Sequence, residues 1–444
     1  MALFGTDGVR GIAKTELTSQ LIFNLSVSAA KVLSKSKNPR AIIGNDSRES
    51  AAYLEAAVIA GLEKQGVEIH LAGTIPTPAI AYLVKSRGYD FGVMISASHN
   101  PMPDNGIKFF AAGGEKLTDQ IEQQIESNMQ SESFSEADIQ SINRQRYLDN
   151  NAADEYLRFL DNVFGKILSG LKVVVDCANG AASIVAPAAY EQAGANVIAI
   201  SNKPDGQNIN QGCGSTHLDN LISAVKSNSA DLGIAHDGDA DRCLLIDSDG
   251  AVVDGDQVLA ILAIALKRAN KLNKNTVVTT VMSNQGFFNA MKSNQINIAK
   301  TAVGDRYVLE QMQQEKYSLG GEQSGHIVVS EFATTGDGIL TALLVMRQMV
   351  ENKTSLSKLA SVITKYPQVL VNVKNVDKSK LSSNSRIADV VSRQSDLIKT
   401  DGQILVRPSG TENLVRIMVE AKTLQMAKKI ADEISEVVKS EIGG

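Results

Sequence analysis

One pattern occurs three times along this 444-residue chain: a β-branched run, a turn of small polar residues, a helix-forming stretch and a second apolar run. In the first copy Arg40-Ala41-Ile42-Ile43-Gly44-Asn45-Asp46 leads through a helical stretch from Ser50 to Gln65 into Val67-Glu68-Ile69-His70-Leu71. The second runs from Lys172-Val173-Val174-Val175-Asp176 through Asn179-Gly180 and a helix over Ala182 to Ala193 into Asn196-Val197-Ile198-Ala199-Ile200. The third runs from Thr276-Val277-Val278-Thr279-Thr280 through Ser283-Asn284-Gln285-Gly286 and a helix over Phe287 to Lys292 into Ile296-Asn297-Ile298-Ala299. Each copy is a β-loop-α-β unit of about 30 residues, which implies parallel strands joined by a right-handed crossover. Successive copies lie about 100 residues apart, one domain's worth, so three similar α/β domains are predicted in preference to a single large sheet.

Pro367 is predicted to open a smaller α+β domain. Val369–Val373, Gln403–Val406 and Leu414–Val419 read as strands, and Leu424 to Lys439 reads as an amphipathic helix. Polar connectors around Ser131 to Asn150 and just after Asp249 mark boundaries, which gives expected domains at 1–150, 151–252, 253–366 and 367–444. A net charge of -5 and the absence of any Lys/Arg cluster argue against a nucleic-acid partner. Cys177, Cys213 and Cys243 show no C-x-x-C spacing, so neither a disulfide framework nor a zinc site is expected. Cys213 with His217 reads as an ordinary loop rather than half a metal site. No signal core stands at the N-terminus and the longest apolar run, Val258 to Leu266, is too short to span a bilayer; no membrane partner and a cytoplasmic location are the expectation.

Four loops carry the candidate chemistry. After the apolar run Phe91–Ile95 the chain reads Ser96-Ala97-Ser98-His99-Asn100-Pro101, with Ser98 at the tip and an imidazole beside it. An Asn105-Gly106 turn is expected to double the chain back and bring the Lys108 ammonium near the serine. In the second domain the strand Leu232–Ala235 runs into His236-Asp237-Gly238-Asp239-Ala240-Asp241-Arg242. Three carboxylates at alternate positions repel one another unless a cation sits among them. An EF-hand is excluded, because its sixth position would be Arg242 and its twelfth Ser248. Hard oxygen donors too few for calcium favour magnesium (Mg2+), which fills its shell with water and a phosphate oxygen. In the third domain Gly320-Gly321-Glu322-Gln323-Ser324-Gly325-His326 sets a carboxylate, a hydroxyl and an imidazole on a glycine-rich loop, a set suited to sugar hydroxyls. Asp305-Arg306 and Thr334-Thr335-Gly336-Asp337-Gly338 read as a loop and a helix cap in preference to further lining of that site. In the last domain Arg407-Pro408-Ser409-Gly410-Thr411-Glu412, with Arg416, forms an anion nest suited to phosphate.

These loops, with the opening Phe4-Gly5-Thr6-Asp7-Gly8-Val9-Arg10-Gly11, resemble the α-D-phosphohexomutases in order and across essentially the whole chain. The resemblance implies four domains around a central cleft, a phosphoryl-carrying Ser98, metal ligation by Asp237, Asp239, Asp241 and the Ser98 phosphate, and Arg10 pointing into the cleft. It also implies Lys108, with His99, as acid/base. Arg242, Glu322, Ser324 and His326 would meet the sugar, and Arg407, Ser409, Gly410, Thr411 and Arg416 would hold the phosphate that is not reacting. Many relatives have Pro where Asn413 stands. The Gln323 form together with Ile95-Ser96-Ala97-Ser98 resembles most the branch acting on glucosamine phosphates. The implied reaction interconverts glucosamine 6-phosphate and glucosamine 1-phosphate through a hexosamine or hexose 1,6-bisphosphate that serves as intermediate and activator. It would feed amino-sugar precursors of the cell envelope, with a small phosphosugar as partner and the chain a monomer or homodimer. Two alternatives stay open: preference for glucose or mannose phosphates, and a phosphosugar-binding protein without turnover.

Overall fold

The computed structural model of the chain describes residues 3–5, 7–131, 142–409 and 413–443. Gly410 and Thr411 of the expected phosphate loop, Thr6 of the opening motif and part of the 131–150 connector lie outside these residues.

The first sheet has the spatial order Val9–Ile12, Asp104–Ala111, Phe91–Ile95, Arg40–Asn45, Glu68–Thr74, with Glu115–Lys116 paired to Asp104–Ala111. Its three middle-to-edge strands, Phe91–Ile95, Arg40–Asn45 and Glu68–Thr74, are parallel, and Asp104–Ala111 is antiparallel to both of its long neighbours. Continuous apolar runs suit strands buried on both faces. Ala41, Ile43, Phe91, Val93 and Ile95 alternate into one core with Leu25 and Ala29 of the helix Ser19–Leu33 and Leu54, Val58 and Leu62 of the helix Ala51–Lys64. The helix Thr77–Arg87 packs on the strands Arg40–Asn45 and Phe91–Ile95.

The chain doubles back after Ile95 as expected, but not at Asn105-Gly106. Both residues lie inside the strand Asp104–Ala111, where Arg10 pairs with Gly106; the reversal is made by residues 96–103. A Cβ on Gly106 would stand 2.6 Å from the Ser96 carbonyl oxygen, so this glycine serves close packing of strand against loop.

The second sheet has the order Val252–Val253, Leu244–Asp247, Leu232–Ala235, Lys172–Asp176, Asn196–Ile200, with the last three parallel. The third is Asn297–Thr301, Thr276–Thr280, Leu319–Gly321, Ile327–Val329. The fourth is antiparallel, Gln368–Lys374, Leu414–Glu420, Gln403–Pro408. Its Val373, Val415, Ile417 and Val419 meet the helices Ser385–Ile398 and Leu424–Ile442 in a separate core. The fold is α/β with mixed sheets, as expected, ending in an α+β domain. No helix among the described residues is long and apolar enough to cross a membrane.

Two compact units result: Met1–Thr280 with Ala299–Ala360, and Val281–Ile298 with Ser361–Gly444. In the second, the Glu420 carboxylate accepts from Gln285 N at 2.7 Å, Asn284 Nδ2 at 2.9 Å and Gln368 Nε2 at 2.9 Å. A buried carboxylate at the N-terminus of the helix Gln285–Ser293 satisfies donors the helix leaves unpaired, and so fastens that helix to the antiparallel sheet.

Candidate active site

Within the first unit the structure brings together Arg10, Ser98, His99, Lys108, Asp237, Asp239, Asp241, Arg242 and His326. Ser98 sits just beyond the strand Phe91–Ile95 and is almost fully buried, with φ +53°. Its Oγ donates to Asp237 Oδ2 at 2.5 Å and lies 3.5 Å from His99 Nδ1. The strand Leu232–Ala235 delivers the acidic loop, and one carboxylate oxygen from each of Asp237, Asp239 and Asp241 lies within 4.8 Å of the others. All three side chains are buried.

A buried cluster of three carboxylates demands positive charge, and Lys108 supplies it. Its Nζ stands 2.7 Å from Asp239 Oδ2, 2.7 Å from Asp7 Oδ2 and 3.8 Å from Asp241 Oδ2. Burial alone would lower its pKa; Asp239, Asp7 and Asp241 outweigh burial and raise it, so Lys108 is held as an ammonium. Burial pushes Asp237 up to about 8, reinforced by Asp241 and Asp239 against the pull of Arg242. Asp241 goes the other way: burial is overcome by Lys108, His326 and Arg242, which hold it well below the carboxylate range. His99 is lowered to about 4 by burial and by Arg242 and Arg10, and is therefore a neutral imidazole at pH 7.

The residues present fit a divalent cation. Asp239 Oδ1 and Asp241 Oδ1 are buried without a hydrogen-bond partner, a costly state that a hard cation would relieve. Two more orphaned atoms belong to the expected substrate residues, Arg242 Nε and Ser324 Oγ.

The glycine-rich loop 320–326 joins the acidic loop directly: Cys243 N donates to Gly325 O at 3.0 Å, and Arg242 bridges His326 in antiparallel fashion. His326 Nδ1 lies 3.5 Å from Asp241 Oδ2, while Nε2 accepts from Gly336 N at 3.1 Å. Flanking carboxylates raise the His326 pKa against burial. Its Nε2 also lies 3.6 Å from Asp305 Oδ2. Glu322 accepts from Gly304 N at 3.1 Å, and burial raises its pKa.

Several participants were not singled out from sequence. Asp7 joins Lys108, Lys116 at 2.7 Å and Arg10 at 2.7 Å; Lys116 also pairs with Asp305. Thr77, first residue of the helix Thr77–Arg87, donates from Oγ1 to Asp239 Oδ2 at 2.6 Å and from its backbone N to Asp239 O at 2.9 Å. Asp7 lies in the opening motif beside Arg10, a visible signal; Thr77 and Lys116 carry none in their own neighbourhoods. In the second unit, Arg407 and Arg416 are directly opposed on neighbouring strands, and Lys378 Nζ donates to Ser409 O at 2.8 Å. Burial and the like charge of Arg416 lower the Arg407 pKa.

Residues 1–136, 154–250, 254–366 and 370–437 match, in turn, domains I, II and III and the C-terminal domain of the phosphoglucomutase/phosphomannomutase family. The phosphoglucosamine mutase of Rhodococcus erythropolis is 53% identical over 442 residues, covering 99% of both chains. That of Thermobifida fusca is 51% identical over 444 residues, covering 99% of this chain and 98% of its own. Among solved structures, a phosphoglucomutase/phosphomannomutase family protein from Burkholderia thailandensis matches with a TM-score of 0.80 at 20% identity, covering 99% of this chain and 97% of that one. The N-acetylphosphoglucosamine mutase of Aspergillus fumigatus, solved with GlcNAc-6P and magnesium, matches with a TM-score of 0.70 at 17% identity, covering 99% and 95%. These two share the fold. On the strength of the full-length relatives, the chain belongs to the phosphoglucosamine mutases, isomerases of the phosphoglucomutase/phosphomannomutase family.

Proposed function

We propose that the enzyme interconverts glucosamine 6-phosphate and glucosamine 1-phosphate, with Ser98 carrying the phosphoryl group and a 1,6-bisphosphate as intermediate and activator. The observation that carries this reading is the Ser98 hydroxyl at 2.5 Å from Asp237, inside a buried acidic triad with orphaned oxygens. Asp237, Asp239, Asp241 and an oxygen of the Ser98 phosphate would hold magnesium, which when bound supplies positive charge opposite the phosphoryl oxygens.

Phosphoryl transfer through a loose transition state asks the protein mainly for position and charge. In the first half, the phosphorus–Oγ bond of phosphoserine breaks as phosphorus bonds the free sugar oxygen. The hydroxyl proton leaves to a neighbouring base, for which His99 is the candidate: its imidazole keeps one nitrogen free of a proton at pH 7, though a weakly basic one. Lys108, held charged beside Asp239, would offset charge on the phosphoryl oxygens and give a proton to the departing Ser98 Oγ. After the bisphosphate reorients, its other phosphoryl returns to Ser98 by the reverse exchange. Glu322 and Ser324 would grip ring hydroxyls with Arg242 and His326. Arg407, Ser409, Gly410, Thr411 and Arg416 would hold the idle phosphate.

Steady-state kcat/KM for glucosamine, glucose and mannose 6-phosphates, measured with magnesium and trace bisphosphate, tests the substrate. The expected order places glucosamine 6-phosphate first by at least about tenfold, or about 1.4 kcal/mol of discrimination. Equal or greater efficiency on either neutral sugar would overturn it.

A further inference from the structure

Ser98 is a residue with a Cβ held in the left-handed region, at φ +53°, a conformation that needs external support. The support is visible on both sides of its backbone. Ser98 N donates to Ser96 Oγ at 2.9 Å, and Ser96 Oγ donates to Asp46 Oδ2 at 2.7 Å. Asp46 pairs with Arg48 Nε at 3.0 Å, both side chains fully buried. The guanidinium then returns to the loop: Nη2 reaches Ser98 O at 3.2 Å and Asn100 O at 2.7 Å, and Nη1 reaches Pro101 O at 2.5 Å. A second hand comes from far along the chain. Asn210 Nδ2 donates to the same two carbonyls, Ser98 O at 2.9 Å and Asn100 O at 3.0 Å. A Cβ on Gly238, between two of the acidic residues, would stand 2.5 Å from Ser98 O, so the acidic loop seats directly on this gripped peptide.

We propose that Arg48 and Asn210 are positioning residues for phosphoryl transfer: together they hold the Ser98 peptide in the conformation that aims Oγ at the acidic triad. The inference rests on Ser98 being the phosphoryl carrier. Neither side chain contacts the triad or Ser98 Oγ among the described hydrogen bonds and ion pairs; Asn210 reaches the loop through backbone carbonyls, and Arg48 through three of them while anchored on Asp46. A guanidinium suits the task because its fixed fork spans one carboxylate and three carbonyls at once, whereas a lysine ammonium keeps the charge and loses the span. Asn210 belongs to residues 154–250, the domain II match, so the nucleophile is set by two domains jointly.

The test compares parent, Arg48→Lys and Asn210→Ala. Arg87→Lys, whose carboxylate partners are Asp149 and Glu155, controls for loss of an arginine pair elsewhere. Two readouts are taken per folded molecule: kcat and KM on glucosamine 6-phosphate, and the rate of Ser98 phosphorylation from glucose 1,6-bisphosphate by intact mass. A misaimed nucleophile lowers kcat and the labelling rate together, by about 10- to 100-fold, with KM within about threefold of the parent. Arg87→Lys should match the parent. Labelling rates and kcat within about twofold of the parent in both variants would overturn the proposal, as would a rise in KM with kcat retained. Should Arg48→Lys fail to fold, Asn210→Ala decides by the same criteria. A parent that is labelled at Ser98 yet idle on glucosamine 6-phosphate would sink the substrate reading, and the labelling rates would still judge Arg48 and Asn210.

Discussion

At the scale of single residues, the active site is a charge problem before it is a catalytic one. Lys108 is buried against Asp7, Asp239 and Asp241, and its removal takes the ammonium from the buried Asp239 carboxylate, while Asp7 keeps Arg10 and Lys116 and Asp241 keeps Arg242. Breaking one side of a buried pair costs about 3–5 kcal/mol. Lys108→Met should therefore unfold at markedly lower denaturant in chelator, and magnesium should restore part of that loss by occupying the triad. Equal losses with and without magnesium would show that the carboxylates do not take the cation. The triad and Ser98 were legible in the chain because alternating aspartates and a serine at a strand exit advertise themselves locally. Arg48, Asn210 and Thr77 were not, because each works on a group over 45 residues away whose approach only the tertiary fold arranges: Arg48 on Ser98, Asn210 on Ser98, Thr77 on Asp239.

At the scale of elements, strand exits and helix starts meet around this chemistry. The helix Thr77–Arg87 begins on Asp239, and the helix Gly338–Glu351 begins with Asp337, which caps Leu340 N at 2.9 Å and accepts from Tyr156 Oη at 2.7 Å. Burial raises Asp337 from its ordinary 3.8 to about 6 against the pull of those donors. The folded state thus keeps a proton that the unfolded chain releases first. Its contribution is fully present below about pH 4 and is lost as pH rises through about 6, for an effect on the order of 2–3 kcal/mol. Asp337→Asn keeps the cap acceptor and removes the titration. The stability difference, variant minus parent, should grow from pH 4 to pH 6.5 in urea unfolding; a difference flat over that range would contradict the assignment. Most elements followed from period and composition, since buried β-branched runs and an amphipathic C-terminal helix have few other solutions. Asn105-Gly106 misled because that dipeptide favours a turn when exposed, yet here both residues are buried in a strand and the glycine serves close approach.

At the scale of the molecule, the repeated β-loop-α-β pattern, the α/β class and the order of the four motifs were all readable in the chain. The packing of the helix Gln285–Ser293 with the C-terminal sheet was not, because it depends on Glu420 reaching the start of a helix 135 residues earlier in sequence. On the proposed function, each of the four sheets would present one part of the chemistry on its own rigid scaffold: a phosphoryl donor, a cation site, a sugar grip and a phosphate nest. The claim that unites them is transfer through Ser98. Phosphorus NMR on the purified enzyme, given glucosamine 6-phosphate, magnesium and a trace of glucose 1,6-bisphosphate beside a Ser98→Ala sample, tests it most directly. A growing 1-phosphate resonance in the parent and none in the variant is the predicted result; equal 1-phosphate formation in both samples, or release of inorganic phosphate alone, would contradict it.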